Sequence, residues 1–125
     1  MNISKFTQKS VQAVQDLEKV AYEYGNQEIE QEHLLYTLLT QEDSLILKLI
    51  EKMEINKDYF IDTVKKALDA KVKVSGGELR FGQYLNKALV NAEDEAKAMG
   101  DEYVSVEHLF LALLKYPSPS MKIGR

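Results

Sequence analysis

The strongest constraint in this sequence is an internal repeat. When the chain is shifted against itself by 75 positions, eleven residues are identical over the 34 positions from 6 to 39. The identical pairs include Phe6 with Phe81, Gly25 with Gly100, and the run Glu32-His33-Leu34 with Glu107-His108-Leu109. A fixed period of this kind indicates that one structural unit occurs twice.

Each copy begins with the pattern of a long helix. In copy one, Thr7 is a good N-cap residue, and apolar residues recur every three or four positions from 11 to 24. Gly25 stands where a residue in the left-handed conformation would end this helix, and Gly100 stands at the same place in copy two. The sequence therefore predicts an equivalent first helix in both copies.

Further cap residues predict the remaining helices. A second helix follows each glycine, with its cap at Glu30 in copy one and at Ser105 in copy two. Asp43 or Ser44 precedes an apolar-periodic stretch of helix length at 45–53, and Asn56 precedes another at 59–68. Copy one thus has four predicted helices. The second helices carry a wide apolar stripe that we expect in the core, comprising Leu34, Leu35, Leu38, Leu39, Leu109, Phe110, Leu113 and Leu114.

The fold class predicted is all-α, a tandem repeat of a four-helix unit. Repeat one covers about 1–70, a linker with the flexible pair Gly76-Gly77 covers about 71–80, and repeat two covers about 81–125 of a single domain. No sheet is predicted, because Val72 and Val74 are too few to indicate a strand. Prolines after 116 stop the last helix, so repeat two lacks room for a third and fourth helix and we expect it to be truncated.

The composition excludes several classes of function. Hydrophobic residues make up 45% of the 125 residues and the formal net charge is -4, which favours one soluble domain with no nucleic-acid or anionic-membrane partner. No run approaches the roughly 20 apolar residues that span a bilayer. The absence of cysteine fits a reducing compartment, so we expect a cytoplasmic location.

Three segments together carry a resemblance to a known family. They are FTQKS at 6–10, YGNQEIEQEHLL at 24–35 and MGDEYVSVEHLF at 99–110. This pattern, present twice at the expected spacing, resembles the N-terminal repeat domain of the Clp family of ATP-dependent unfoldases. Residues 31–44 look more similar to ClpB-type disaggregases than to ClpC-type unfoldases that work with a protease.

The resemblance implies a pseudo-twofold helical bundle that engages unfolded or aggregated polypeptide and passes it to AAA+ ATPase modules of a hexamer. Those modules are not in this sequence, which has no phosphate-binding loop of the form G-x-x-x-x-G-K-[ST]. We therefore expect a non-enzymatic domain without a cofactor of its own, in which ATP serves only the full-length protein. Adaptor proteins are further expected partners.

The resemblance also implies substrate-handling roles for Thr7, Asp101 and Glu107. Each has a simpler structural explanation, since Thr7 caps a helix, aspartate is common in turns, and a carboxylate is favoured near a helix N-terminus. Aromatic rings suit recognition surfaces, so Tyr84 and Tyr103 of the second copy are added as candidate substrate-binding residues.

An alternative comes from ClpC-type domains, which the resemblance implies hold a phosphorylated arginine with the glutamates matching Glu32 and Glu107. This sequence departs from that pattern, because Gly82 stands where the first copy has Thr7. His33 and His108 lack the spacing of metal ligands, and we expect them to be buried packing and capping groups.

Four functions compete at this point. They are a binding module for unfolded protein, an adaptor or phosphoarginine-tag receptor of a protease unfoldase, an enzyme, and a purely structural domain. No carboxylate pair is marked out for acid–base chemistry. The first function fits the resemblance best.

Overall fold

Six helices dominate the computed structural model, which describes residues 2–121. Their bounds are α1 Gln8–Glu23, α2 Gln31–Thr40, α3 Leu45–Lys52, α4 Lys57–Asp69, α5 Gln83–Ala98 and α6 Val106–Lys115. A single turn of 3-10 helix, Ile3–Lys5, precedes α1. The predicted all-α class is confirmed, with four helices in the first repeat and two in the second.

The helices begin at the predicted caps. Thr7 Oγ1 accepts a hydrogen bond from the backbone N–H of Ser10 at 3.2 Å, and Ser44 and Asn56 accept equivalent bonds at the starts of α3 and α4. Ser105 caps α6 through its hydroxyl, which accepts from His108 N–H at 3.4 Å. Each cap satisfies a donor that the first turn of a helix leaves free.

The first helix of each repeat ends in the same way. Gly25 and Gly100 have φ values of 70° and 73°, in the left-handed region that glycine adopts without steric cost. The next residues, Asn26 and Asp101, each donate a backbone N–H to a carbonyl in the last turn of the preceding helix at 2.9 Å. The repeat seen in the sequence is therefore also a repeat in the local structure.

The two repeats are joined by short parallel pairings that the sequence did not predict. The expectation of no sheet is wrong: β1, Glu28–Ile29, pairs in parallel with β2, Arg80–Phe81. A single bridge between Phe6 and Val104 forms the symmetric counterpart. Pairings this short escape pattern analysis because two residues contain no alternation of polar and apolar side chains.

These pairings exchange segments between the repeats. The residue before α5 pairs with the loop after α1, where Gly82 N–H donates to Ile29 O at 2.8 Å. The residue before α1 pairs with the loop after α5, where Thr7 N–H donates to Val104 O at 2.9 Å. Each repeat thus holds the start of the other's first helix, which gives the fold its pseudo-twofold symmetry.

The core lies between the second helices of the two repeats and the helices that flank them. Fully buried side chains include Leu17, Leu34, Leu38, Ile46, Ile50, Leu85, Leu89, Leu109 and Leu113. The predicted apolar stripe is confirmed except at Leu114, which is 56% exposed. Its counterpart Leu39 is 1% exposed, because α3 and α4 pack against α2, whereas repeat two has no counterpart of these helices among residues 2–121.

Within residues 2–121, no helix combines the length and apolar character needed to cross a membrane.

Candidate functional site

A groove of about 560 Å³ lies on the exposed side of α6. Its floor and walls are apolar, formed by Leu49, Met99, Tyr103, Phe110, Leu111 and Leu114. Its rim carries the carboxylates of Asp101, Glu102 and Glu107 and the side chains of Ser105 and His108. Among the lining residues, all within the described part of the chain, none is a lysine or an arginine, so the rim is acidic.

A second cleft continues beyond Glu107. It has a volume of about 340 Å³, is lined by Thr7 and the neighbouring start of α1, and shares Ser105 and Glu107 with the α6 groove. Because the start of α1 is paired to the α5–α6 loop, Thr7 lies beside the start of α6. The structure therefore brings together four of the predicted substrate-binding residues, namely Thr7, Asp101, Tyr103 and Glu107, along two adjoining depressions.

Tyr84, the fifth predicted residue, lies elsewhere. It is 39% exposed on α5, with the ammonium of Lys87 5.3 Å from its ring centre, and its backbone carbonyl accepts a hydrogen bond from Gln31. Tyr84 does not line the α6 groove or the adjoining cleft.

A chain of hydrogen bonds holds Asp101 at the groove rim. His108 Nδ1 accepts from the backbone N–H of Ser105 at 2.9 Å, which leaves Nε2 to donate to Asp101 Oδ2 at 2.8 Å. The second carboxylate oxygen of Asp101 has no hydrogen-bond donor among residues 2–121, and the side chain is about half exposed. The prediction that His108 is a capping group is confirmed.

Repeat one contains the same arrangement in a buried form. His33 Nδ1 accepts from Glu30 N–H and its Nε2 donates to Asn26 Oδ1, each at 2.9 Å. Burial and, to a smaller extent, the positive charge of Lys71 lower the pKa of His33 to about 4. His33 is therefore a neutral structural residue at pH 7, as predicted, and Asn26 replaces the charged Asp101.

Glu32 and Glu107 are equivalent in sequence but differ in environment. Glu107 is exposed between the groove and the cleft. Glu32 is 2% exposed, and its Oε2 contacts Lys71 Nζ at 3.3 Å and accepts from Ser120 Oγ at 2.9 Å. Its other oxygen is buried without a hydrogen-bond partner among the described residues. A guanidinium at Glu32 would therefore compete with Lys71 for this carboxylate.

Several groove residues were not singled out by sequence reasoning. Leu49, Met99 and Leu111 line the groove, and Lys71 closes over the equivalent face of repeat one. Leu111 aligns with Tyr36 of repeat one, which is half-buried. This match was the sequence signal that could have identified Leu111. Leu49 carries no such signal, since it reaches the groove only through the packing of α3 against α6.

The described residues of the site offer apolar contact and hydrogen-bond acceptors. Residues 2–121 contain no cluster of three histidine, cysteine or carboxylate side chains that could hold a metal ion. An apolar depression with an acidic rim suits an apolar polypeptide segment that also carries hydrogen-bond donors.

Comparison with known proteins identifies the family of this chain. Residues 5–122 match the family described as Clp repeat (R) N-terminal domain. The chain is 38% identical over 130 residues to chaperone protein ClpB of Nitratidesulfovibrio vulgaris, an alignment that covers 100% of this chain and 15% of the relative. It is 40% identical over 114 residues to ClpB of Porphyromonas gingivalis, covering 91% of this chain and 13% of that protein. The chain thus spans about 15% of the length of these relatives.

Solved structures share the fold. The N-terminal domain of Hsp104 from Candida albicans superposes with a TM-score of 0.82 at 19% identity, covering 90% of this chain and 75% of that one. The N-terminal domain of the ClpV1 ATPase from E. coli has a TM-score of 0.82 at 23% identity, covering 92% and 71%. The chain belongs to the family of Clp N-terminal domains and is similar in sequence to those of ClpB chaperones.

Proposed function

We propose that this domain binds unfolded or aggregated polypeptide in the α6 groove and, within a longer protein, passes it to ATP-driven AAA+ modules. The observation that carries the proposal is the groove itself. Met99, Tyr103 and Leu114 are each half or more exposed and line this one groove together, and it is such grouping of exposed apolar side chains, rather than their exposure singly, that points to an interaction site. Unfolded chains expose the apolar side chains that would fill such a groove, whereas folded proteins bury them.

The position of the groove supports this proposal. The residues that the family resemblance implies for substrate handling, Thr7, Asp101 and Glu107, border the groove and the adjoining cleft. They come from opposite ends of the sequence and meet through the cross-repeat pairing. Relatives named chaperone protein ClpB are about seven times as long as this chain, so the ATP-dependent work is assigned to parts outside it.

The phosphoarginine alternative gains less support. Glu107 is exposed near Thr7, as that alternative requires, but Glu32 is already paired with Lys71 and Ser120. In addition, Gly82 offers no hydroxyl at the position equivalent to Thr7. A two-site receptor for a modified arginine is therefore not part of the proposed function.

A matched pair of variants tests the proposal. We expect Leu114→Asp to weaken binding of a reduced, carboxymethylated and therefore permanently unfolded protein by about tenfold, because it removes roughly 1.5 kcal/mol of apolar burial. Val90→Asp is the control, since Val90 is also about half exposed, on α5 of the same repeat, and lies outside the groove. Fluorescence anisotropy of the labelled unfolded protein measures both affinities. Equal losses in the two variants, or no binding by the wild type, would refute the proposal.

A further inference from the structure

Ser10, the third residue of α1, is a buried hydroxyl at a position where the other repeat buries a leucine. Its side chain is 0% exposed, and its counterpart 75 positions later, Leu85, is also 0% exposed. Burying a hydroxyl costs free energy unless the hydroxyl forms hydrogen bonds, whereas a buried leucine adds to the core. Packing alone favours the leucine, so the reason for Ser10 lies in what its hydroxyl contacts.

The Ser10 hydroxyl donates its proton across the boundary between the repeats. Ser10 Oγ lies 2.7 Å from Val104 O and 2.9 Å from Thr7 O. A carbonyl oxygen only accepts hydrogen bonds, so the single proton of Ser10 is used at these two carbonyls, of which Val104 O is the nearer. The same Val104 O accepts the backbone N–H of Thr7 at 2.9 Å. Ser10 thus joins the start of α1 to the loop between α5 and α6.

This arrangement fixes the direction of the Thr7 hydroxyl. Thr7 Oγ1 lies 3.0 Å from Ser10 Oγ, and because the Ser10 proton is already used, Thr7 donates in this contact and Ser10 accepts. Thr7 Oγ1 also accepts the backbone N–H of Ser10 at 3.2 Å. A hydroxyl has one proton and two lone pairs, so one lone pair remains on Thr7. A ligand in the cleft beside Thr7 can therefore only donate to this hydroxyl.

The capping hydroxyl of α6, which lines the same cleft, is directed in the same way. His108 Nε2 donates to the Asp101 carboxylate, so His108 Nδ1 is an acceptor. Ser105 Oγ lies 3.0 Å from this Nδ1 and donates to it, and it accepts the backbone N–H of His108 at 3.4 Å. The exposed Glu107 carboxylate beside it accepts as well. The side chains at both helix starts thus present acceptor oxygens to the cleft.

We infer that Ser10 is a positioning residue for recognition: by taking the proton of Thr7, it makes the cleft select N–H donors of the bound chain, above all the guanidinium of arginine, over phosphoryl groups. A phosphoryl oxygen needs a donor, and Thr7 can supply one only by turning away from Ser10 and leaving a buried acceptor unsatisfied. Lys9, the one lysine among the described residues that line the cleft, already donates to Glu42 O at 2.7 Å. This inference rests on the proposed function and specifies the chemistry that the cleft accepts.

Two probes that differ only in a phosphoryl group test the selection. They are Nα-acetyl-arginine amide and the same molecule phosphorylated on its guanidinium, each titrated into the isotope-labelled 125-residue domain and followed by the amide shifts of Thr7, Ser10 and Glu107. We expect the arginine probe to bind at least fivefold more tightly. In Ser10→Ala this preference should fall about fivefold, because the Thr7 hydroxyl is then free to turn and donate. The charge difference between the probes is the same in both proteins and cancels in this comparison.

Further variants distinguish positioning from a general structural effect. Thr7→Val removes the acceptor and should weaken the arginine probe about fivefold and the phosphorylated probe less than twofold. In the Thr7→Val background, Ser10→Ala should leave the preference within twofold. Thr37→Val is the matched control, since Thr37 is a buried hydroxyl that donates to a backbone carbonyl, His33 O, and lies outside the cleft. It should leave the preference unchanged.

The outcomes separate this inference from the proposed function. A wild-type domain that prefers the phosphorylated probe, or a preference that Ser10→Ala leaves unchanged, would overturn the inference. If unfolded protein binds in the groove but neither probe shifts the cleft, the inference fails and the proposed function stands. If the probes behave as expected but unfolded protein does not bind, the proposed function fails by itself. If neither the probes nor the unfolded protein bind, both fail.

Discussion

Lys71 allows a quantitative test of how much a buried ion pair contributes to the stability of repeat one. Its ammonium pairs with Glu30 Oε2 at 2.8 Å and with Glu32 Oε2 at 3.3 Å. The Glu32 carboxylate is almost fully buried, and its one hydrogen bond from another side chain among the described residues comes from Ser120. Lys71→Met keeps the length of the side chain and removes the charge. Removing one partner of a buried ion pair leaves an uncompensated charge, which costs about 3–5 kcal/mol.

We expect a loss near the lower end of that range, about 3 kcal/mol, because Ser120 still donates to Glu32. For a domain of this size, the loss corresponds to a fall in Tm of about 10 °C. Urea unfolding followed by far-UV circular dichroism measures the free energy, and a thermal scan measures Tm. Urea is preferred to guanidinium because it does not screen the ion pair.

Two further variants make the test specific. Lys71→Met combined with Glu32→Leu removes both charges and should recover stability to within about 1 kcal/mol of the wild type. Lys48→Met breaks an exposed pair with Asp43, whose two side chains are more than half exposed, and should cost less than about 1 kcal/mol. A Lys71→Met loss as small as that of Lys48→Met, or a double variant no more stable than the single one, would refute the reasoning.

Three further predictions concern helix ends and pH. Thr7→Ala should lower the free energy of unfolding by about 1 kcal/mol in urea melts while Thr7→Ser restores it, because the cap needs only a hydroxyl. Gly100→Ala and Gly25→Ala should each lower the free energy of unfolding by about 1 kcal/mol in the same assay, because both residues have positive φ. Steric clash adds nothing to this cost, since an added Cβ meets no atom closer than 3.6 Å at either position. Unequal losses would count against the equivalence of the two helix ends. The His33 pKa of about 4 lies below the usual value of about 6.5, so the unfolded state binds more protons between these pH values and stability falls on acidification through that window. Urea melts at pH 7 and pH 5 should differ by about 2 kcal/mol, and His33→Gln should remove most of this difference; an unchanged difference would contradict it.

The local signals in the sequence predicted the helices well. Caps such as Ser44 and Asn56 and the terminating glycines act within a few residues, so their effect is visible in the sequence itself. The cross-repeat pairing of Ile29 with Phe81 was missed because its partners are distant in sequence and each strand has only two residues.

The candidate site was predictable only in part. The repeat alignment made Glu32 and Glu107 look equivalent, but their environments depend on whether a helix covers the second helix of each repeat. Lys71 approaches Glu32 only because α4 packs against α2, a contact between residues 39 positions apart that no local pattern encodes. For the same reason Leu114 looked like a core residue and is exposed instead.

The most direct test of the central claim is a map of where unfolded polypeptide binds. Amide and methyl chemical shifts of the isotope-labelled domain would be followed during titration with a reduced, carboxymethylated protein. We expect the shifts to concentrate on Met99, Tyr103, Leu111 and Leu114, with smaller changes around Thr7, and to disappear in Leu114→Asp. Shifts confined to another surface, or the same pattern retained in Leu114→Asp, would contradict the assignment of the α6 groove as the binding site.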